Sequence, residues 1–197
     1  MTTTDLGALI SSRICHDLIS PLGAIGNGVE LLNMSGHTDS PEIALIAESV
    51  ENANARIRFF RIAFGAARPG AEINQSEVQS ILRDSYRNNR IAVQWKVEGP
   101  LLRQEVKTAF LALQCLENGL PWGGEISISR DHNTWSLVAT GEKIRFETDL
   151  WKVVTGENSL EDIVASDVHF ALLGPAAEAA GSKIRQDVKE TGISLSF

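Results

Sequence analysis

His16 and Asp17 stand side by side in the stretch Ser12-Arg13-Ile14-Cys15-His16-Asp17-Leu18-Ile19-Ser20-Pro21-Leu22. A neutral imidazole can attack phosphorus when one ring nitrogen is free and in line with the bond that breaks. Asp17 is placed to hydrogen-bond the other ring nitrogen and so set the tautomer. Arg13, about one turn back, is placed to attract a transferring phosphoryl group. Ser12 and Ser20, four residues either side of His16, complete an exposed neighbourhood. On pattern alone, a helical histidine beside an aspartate is equally ordinary solvated surface.

The element that must carry these residues is a helix. Ile10, Ile14, Leu18, Leu22, Ile25, Val29 and Leu32 recur at gaps of three and four, the helical period. At about 100° per residue, Ile14, Leu18, Ile25 and Leu32 fall within a sector of roughly 40°, and His16 lies on the opposite side of the helix. That sector is expected to face a core, and His16 to face solvent. Thr4 or Asp5 is the expected cap of a helix from Leu6 to about Met34. Pro21 lies inside it and should loosen the turn beyond the histidine. Leu18, Ile19 and Leu22 are candidate contacts for a docking partner. Ile19, about 100° from Leu18, suits a partner better than packing.

Ser35 to Pro41 is turn chemistry, and Ser40-Pro41-Glu42 reads as the start of a second helix, apolar at Ile43, Ile46, Ala47, Val50, Ala53, Ile57, Phe60 and Phe64. Phe59, Phe60 and Phe64 are expected to fill the end of the bundle. Two long helices with a short link make an antiparallel hairpin, whose remaining apolar stripes a second copy would bury as a four-helix bundle. A homodimer is therefore expected. Ala66-Ala67-Arg68-Pro69-Gly70 marks the expected boundary, with a helical hairpin over 1–67 and a second domain over 68–197.

The second domain alternates in type: a short run over 71–74, a helix over 77–88 capped by Ser76, a strand over 91–97 and a long helix over 103–120. A hairpin around Asp131-His132-Asn133 follows, then a short helix over 146–154, another helix or a loop over 158–163, a helix over 168–180 capped by Asp167, and a closing hairpin. The overall class is α+β, with helices on one face of a mixed sheet. His37, His132 and His169 read as structural or incidental.

Composition narrows the function. The chain has 197 residues, is 43% hydrophobic and carries a formal charge of −7. A net anion argues against nucleic acid or an anionic membrane as partner. Two distant cysteines suggest a reduced compartment and no metal cluster. With no signal-like start and no long apolar window, the expected location is the cytoplasm.

The segment His16-Asp17-Leu18-Ile19-Ser20-Pro21-Leu22 resembles the dimerisation helix of bacterial two-component histidine kinases, which carries His-Glu/Asp-Leu-x-Asn/Thr-Pro-Leu. Leu113 to Asn118 is similar to the asparagine box of their ATP-binding domain, and Phe170 to Ile184 follows the spacing of its last helix and strand. The chain departs from that family where nucleotide is held. Ala139-Thr140-Gly141-Glu142 has a glycine but not the aspartate of Asp-x-Gly-x-Gly, no glycine-rich lid stands between Lys143 and Val168, and Gly119-Leu120-Pro121 replaces a second metal-helping asparagine. A phospho-accepting hairpin with a degenerate ATP domain resembles the histidine phosphotransferases of the ChpT family. The resemblance implies relay of a phosphoryl group from the receiver aspartate of a hybrid kinase to His16 and on to the receivers of response regulators. It implies no cofactor on this chain and Mg2+ on the receiver. An autophosphorylating kinase with a divergent nucleotide site, or a receiver-binding scaffold without chemistry, are the alternatives.

Overall fold

A computed structural model describes residues 6–34, 41–159, 161 and 163–197. The expected caps Thr4, Asp5 and Ser40, the turn holding His37, and Leu160 and Asp162 lie outside the described residues. The chain divides into two compact units, 1–66 with 80–85, and 67–79 with 86–197.

In the first unit, α1 spans Leu6–Met34 and α2 spans Pro41–Ala63. α1 runs unbroken past Pro21, which lacks the N–H that Asp17 C=O would accept. α1 and α2 pack against each other, but not through the sector named above. Ile10, Ile14, Leu18, Ile25 and Leu32 are 45–59% exposed. The buried or half-buried positions of α1 are instead Ser11, Gly23 and the row Ala8, Ser12, Cys15, Ile19, Leu22, Gly26 and Val29, the row being spaced 4, 3, 4, 3, 4, 3 as in a heptad seam. Small residues at four of the seven let the helices approach closely. A Cβ on Gly26 would stand 3.5 Å from Val50 Cγ1. The large apolar residues therefore form a second stripe, about 95° around the helix from the first.

The far end of α2 buries Ala55, Phe59, Ile62 and Ala63. Phe60 and Phe64 are half-buried with ring centroids 5.5 Å apart. Helix α3, Gln75–Tyr86, begins earlier than expected, and Ser76 lies inside it instead of capping it. Its stretch Ser80–Ser85 belongs to the helical unit. There Arg58 donates to Asp84 Oδ2 and to Ser80 Oγ, both at 3.1 Å, and Ser85 Oγ donates to Ala55 O at 3.3 Å. The division is thus not a single cut after residue 67.

In the second unit, β1 (Glu72–Ile73) pairs antiparallel with β3 (Leu101–Leu102). A five-stranded sheet runs β2-β4-β5-β7-β6. Its strands are β2 Ile91–Trp95, β4 Gly124–Asp131, β5 Thr134–Thr140, β6 Arg185–Lys189 and β7 Gly192–Ser196. β2 and β4 are parallel and the other pairs antiparallel. α4 spans Arg103–Asn118, α5 Thr148–Thr155 and α6 Val168–Ala179. α4 packs on α6 and touches β4 and β5, while α5 packs on α6. Alternation along the strands sends Ile126, Ile128, Leu137, Ile193 and Leu195 into the core, where Phe110, Leu113 and Leu116 of α4 are also fully buried. Gly174 permits the α5–α6 contact, since a Cβ there would lie 2.6 Å from Val154 O. The two-residue β3, the later start of α5 and a 3-10 turn over Ala165–Asp167 are further departures from the expected elements. Asp167 precedes α6 without a side-chain cap bond. Among the described residues no helix is long and apolar enough to cross a membrane.

Candidate functional site

His16 sits in the middle of α1, and its side chain is 82% exposed. Its position, about 90° from the hairpin seam and nearly opposite the apolar stripe, keeps it clear of both. His16 Nδ1 lies 3.2 Å from Asp17 Oδ1. With Asp17 accepting from Nδ1–H, Nε2 carries the lone pair and points outward. Asp17 is itself engaged on its other oxygen, where Arg13 Nε donates at 2.8 Å. The His16 hydrogen bond, joined by that of Arg13, holds the Asp17 carboxyl below the usual carboxylate range against the opposing effect of desolvation. Asp17 is therefore anionic across the neutral pH range. Arg13, 77% exposed, is tethered within the same cluster by the i,i+4 geometry of the helix.

The other sequence-selected residues divide by face. Ser20 is exposed one turn beyond His16, and Leu18 is exposed on the apolar stripe. Ser12 is half-buried, its Oγ accepting from Ala66 N–H at 3.0 Å, so its hydroxyl serves the hairpin. Ile19 and Leu22 are half-buried in the seam, not turned away from it. Cys15, adjacent to His16, is buried in the same seam. Burial pushes its thiol up, partly offset by Arg61, so it is no rival nucleophile. The heptad spacing of small residues was the signal for this seam, and the larger neighbouring residues masked it.

At the end of α4, Asn118 Oδ1 accepts from an Arg145 Nη at 2.9 Å. The backbone N–H of Arg145 donates to Gly119 O at 3.0 Å, and its Nε pairs with Glu147 at 3.1 Å. The loop after β5 is thereby tied to the end of α4. A Cβ on Gly141 would lie 2.9 Å from Leu120 Cδ2, so that glycine is explained by packing. Among the described residues there is no group of three or more His, Cys, Asp or Glu placed to hold a metal ion.

Residues 75–192 match the model of the histidine phosphotransferase C-terminal domain. The chain belongs to the histidine phosphotransferase family. Within it, the protein phosphotransferase ChpT of Brucella abortus (strain 2308) is 36% identical over 192 residues, covering 93% of this chain and 90% of that one. A solved bacterial phosphotransferase superposes with a TM-score of 0.71 at 28% identity, over 100% of this chain and 97% of its own. The family's C-terminal domain thus corresponds to all of α3 and most of the second unit. His16 lies outside the matched range, on the hairpin.

Proposed function

We propose that this protein is a phosphorelay histidine phosphotransferase in which His16 takes a phosphoryl group from the receiver aspartate of a hybrid kinase and passes it to the receivers of response regulators. The observation that carries the reading is the arrangement at His16. It is an exposed imidazole with Nδ1 on Asp17 and Nε2 open, in a chain of this family.

In the forward step Nε2 attacks the phosphorus of an aspartyl phosphate. The N–P bond forms as the acyl P–O bond breaks, and the electron pair leaves on the donor carboxylate. The imidazolium so formed keeps its Nδ1–H on Asp17, whose charge offsets the new positive charge. Transfer to the next receiver reverses these changes on a second aspartate. Arg13 sits close enough to attract the phosphoryl oxygens, and Asp17 returns it to rest. Mg2+ belongs to the receiver in this scheme. Nucleotide has no role, and the Arg145 tie across Asn118 supports that part of the reading. The apolar stripe Ile10, Ile14, Leu18, Ile25 and Leu32, with Leu45 and Ile46 of α2 exposed as well, supports a homodimer closed as a four-helix bundle. A monomeric domain rarely leaves so many large apolar residues in the open.

The test is incubation of the protein with a labelled, phosphorylated receiver, with and without ATP. Label should move to the wild type and not to His16→Ala, and ATP alone should label neither. Label on the His16→Ala variant refutes the site. Labelling by ATP alone restores the kinase reading.

A further inference from the structure

Seven lysines and arginines follow residue 129 in the sequence. Five of them have a partner: Arg130 on Glu105, Lys143 over the Trp122 ring, Arg145 on Glu147, Lys152 on Asp149 and Lys189 on Asp187. The side chains of Lys183 and Arg185 have none among the described residues. Both line one open cavity of about 520 Å³ in the second unit. Asn133, Thr134 and Ser182 line it too, and their side chains make no hydrogen bond to another described residue. At the end of α6, Ala177 O accepts from Ser182 N–H and Glu178 O from Gly181 N–H, both at 2.9 Å. That end of the helix is satisfied without using the Ser182 hydroxyl.

The cavity is not a remnant of the nucleotide position. Thr134 opens β5 and Thr140 closes it, about 20 Å apart along the strand. Gly141 and the tie between Asn118 and Arg145 therefore lie at the other end of the sheet. Unpartnered donors converging on one space suit an anion with several oxygens, and an arginine fork beside a lysine suits a phosphoryl group. The space is larger than a bare phosphate needs and falls in the range that encloses small organic ligands. Glu178, the one carboxylate side chain on the lining, opposes a naked anion but accepts from hydroxyl groups. Phe197, stacked on Trp135, is the apolar part of the lining. We infer that this cavity binds a small organic phosphate whose body carries hydroxyl groups, as a sugar phosphate does, with Lys183 and Arg185 on the phosphate and Glu178 on the hydroxyls. The site is independent of His16 and of the relay reading given above.

The experiment titrates the isotope-labelled full chain with glycerol phosphate, ribose phosphate and glucose phosphate, and with inorganic phosphate and glucose for comparison. Amide shifts report the place of binding and calorimetry the affinity. At least one of the three esters should bind about tenfold or more tightly than inorganic phosphate or glucose, and should shift the amides of Asn133, Thr134 and Ser182. Lys183→Gln and Arg185→Gln change exposed side chains, so thermal unfolding should be unchanged while affinity falls about tenfold in each. Lys189→Gln removes the same charge from β6 outside the cavity and should leave affinity as it is. The inference is overturned if none of the esters binds at millimolar concentration, or if the shifts fall elsewhere. An equal loss in Lys189→Gln reduces the effect to general charge and overturns it too. Inorganic phosphate bound as tightly as the esters overturns the ligand class.

Discussion

The Ala66 amide donates to Ser12 Oγ at 3.0 Å, binding the chain just beyond α2 to α1 about one turn before His16. Ser12→Ala removes the acceptor and leaves a half-buried N–H without it, at a cost of about 1 kcal/mol. The variant should unfold at lower urea concentration than wild type. Because the cluster of Arg13, His16 and Asp17 is untouched, its single-turnover transfer rate should change far less than that of an Asp17 variant.

Asp17 connects Arg13 and His16. Asp17→Ala frees both, so the imidazole loses its fixed tautomer and the positive charge formed on attack loses its counter-ion. Loss of that orientation and counter-ion should slow transfer by about tenfold or more. Rapid-quench transfer from a phosphorylated receiver measures it. Wild-type transfer in Asp17→Ala would remove Asp17 from the mechanism.

The apolar stripe makes its own prediction. Ile14→Glu and Ile25→Glu change residues that are about half exposed in the single chain, so neither should unfold the hairpin. In the homodimer proposed above each would bury a charge, and sedimentation should show monomer. Unchanged dimers would place the stripe outside the interface.

His169 predicts a pH dependence in the second unit. Burial, opposed by Asp167, pushes its pKa below 6.5, and its Nε2 is buried with no hydrogen-bond partner among the described residues. A histidine whose folded pKa is depressed leaves stability intact above the unfolded value. Stability then falls as pH drops through 6.5 towards the folded value, because the unfolded chain takes the proton first. Urea midpoints between pH 8 and pH 5 should show that decline, and His169→Asn should flatten it.

Gly174→Ala should destabilise the α5–α6 contact by about 1–3 kcal/mol, since the added methyl must displace backbone at Val154. A several-degree fall in Tm is the expected readout.

Much of this was legible beforehand, and the misses have physical reasons. His16 faces outward because counting 100° per residue puts it opposite the apolar stripe and about 90° from the seam as well. The seam does not follow, because Ala8, Ser12, Cys15 and Gly26 bury little surface each and carry no strong apolar signal. The bulky Ile14 and Leu18 carry the strongest apolar period, on a face the single chain leaves open. Arg13 read as a phosphoryl attractor, while its contact with Asp17 needed only the i,i+4 rule. β3 is two residues long, too short for alternation to show. Receiver identity is written on another molecule's surface.

The 82% exposure of the His16 side chain bears on timing. Nothing in the described hairpin closes over the imidazole, so a phosphoryl group there would have no shelter from water or from competing acceptors. Such a carrier has no memory of its own. How long a signal lasts would then be decided by the molecules on either side of it, and its level would follow the ratio of their charged and uncharged forms.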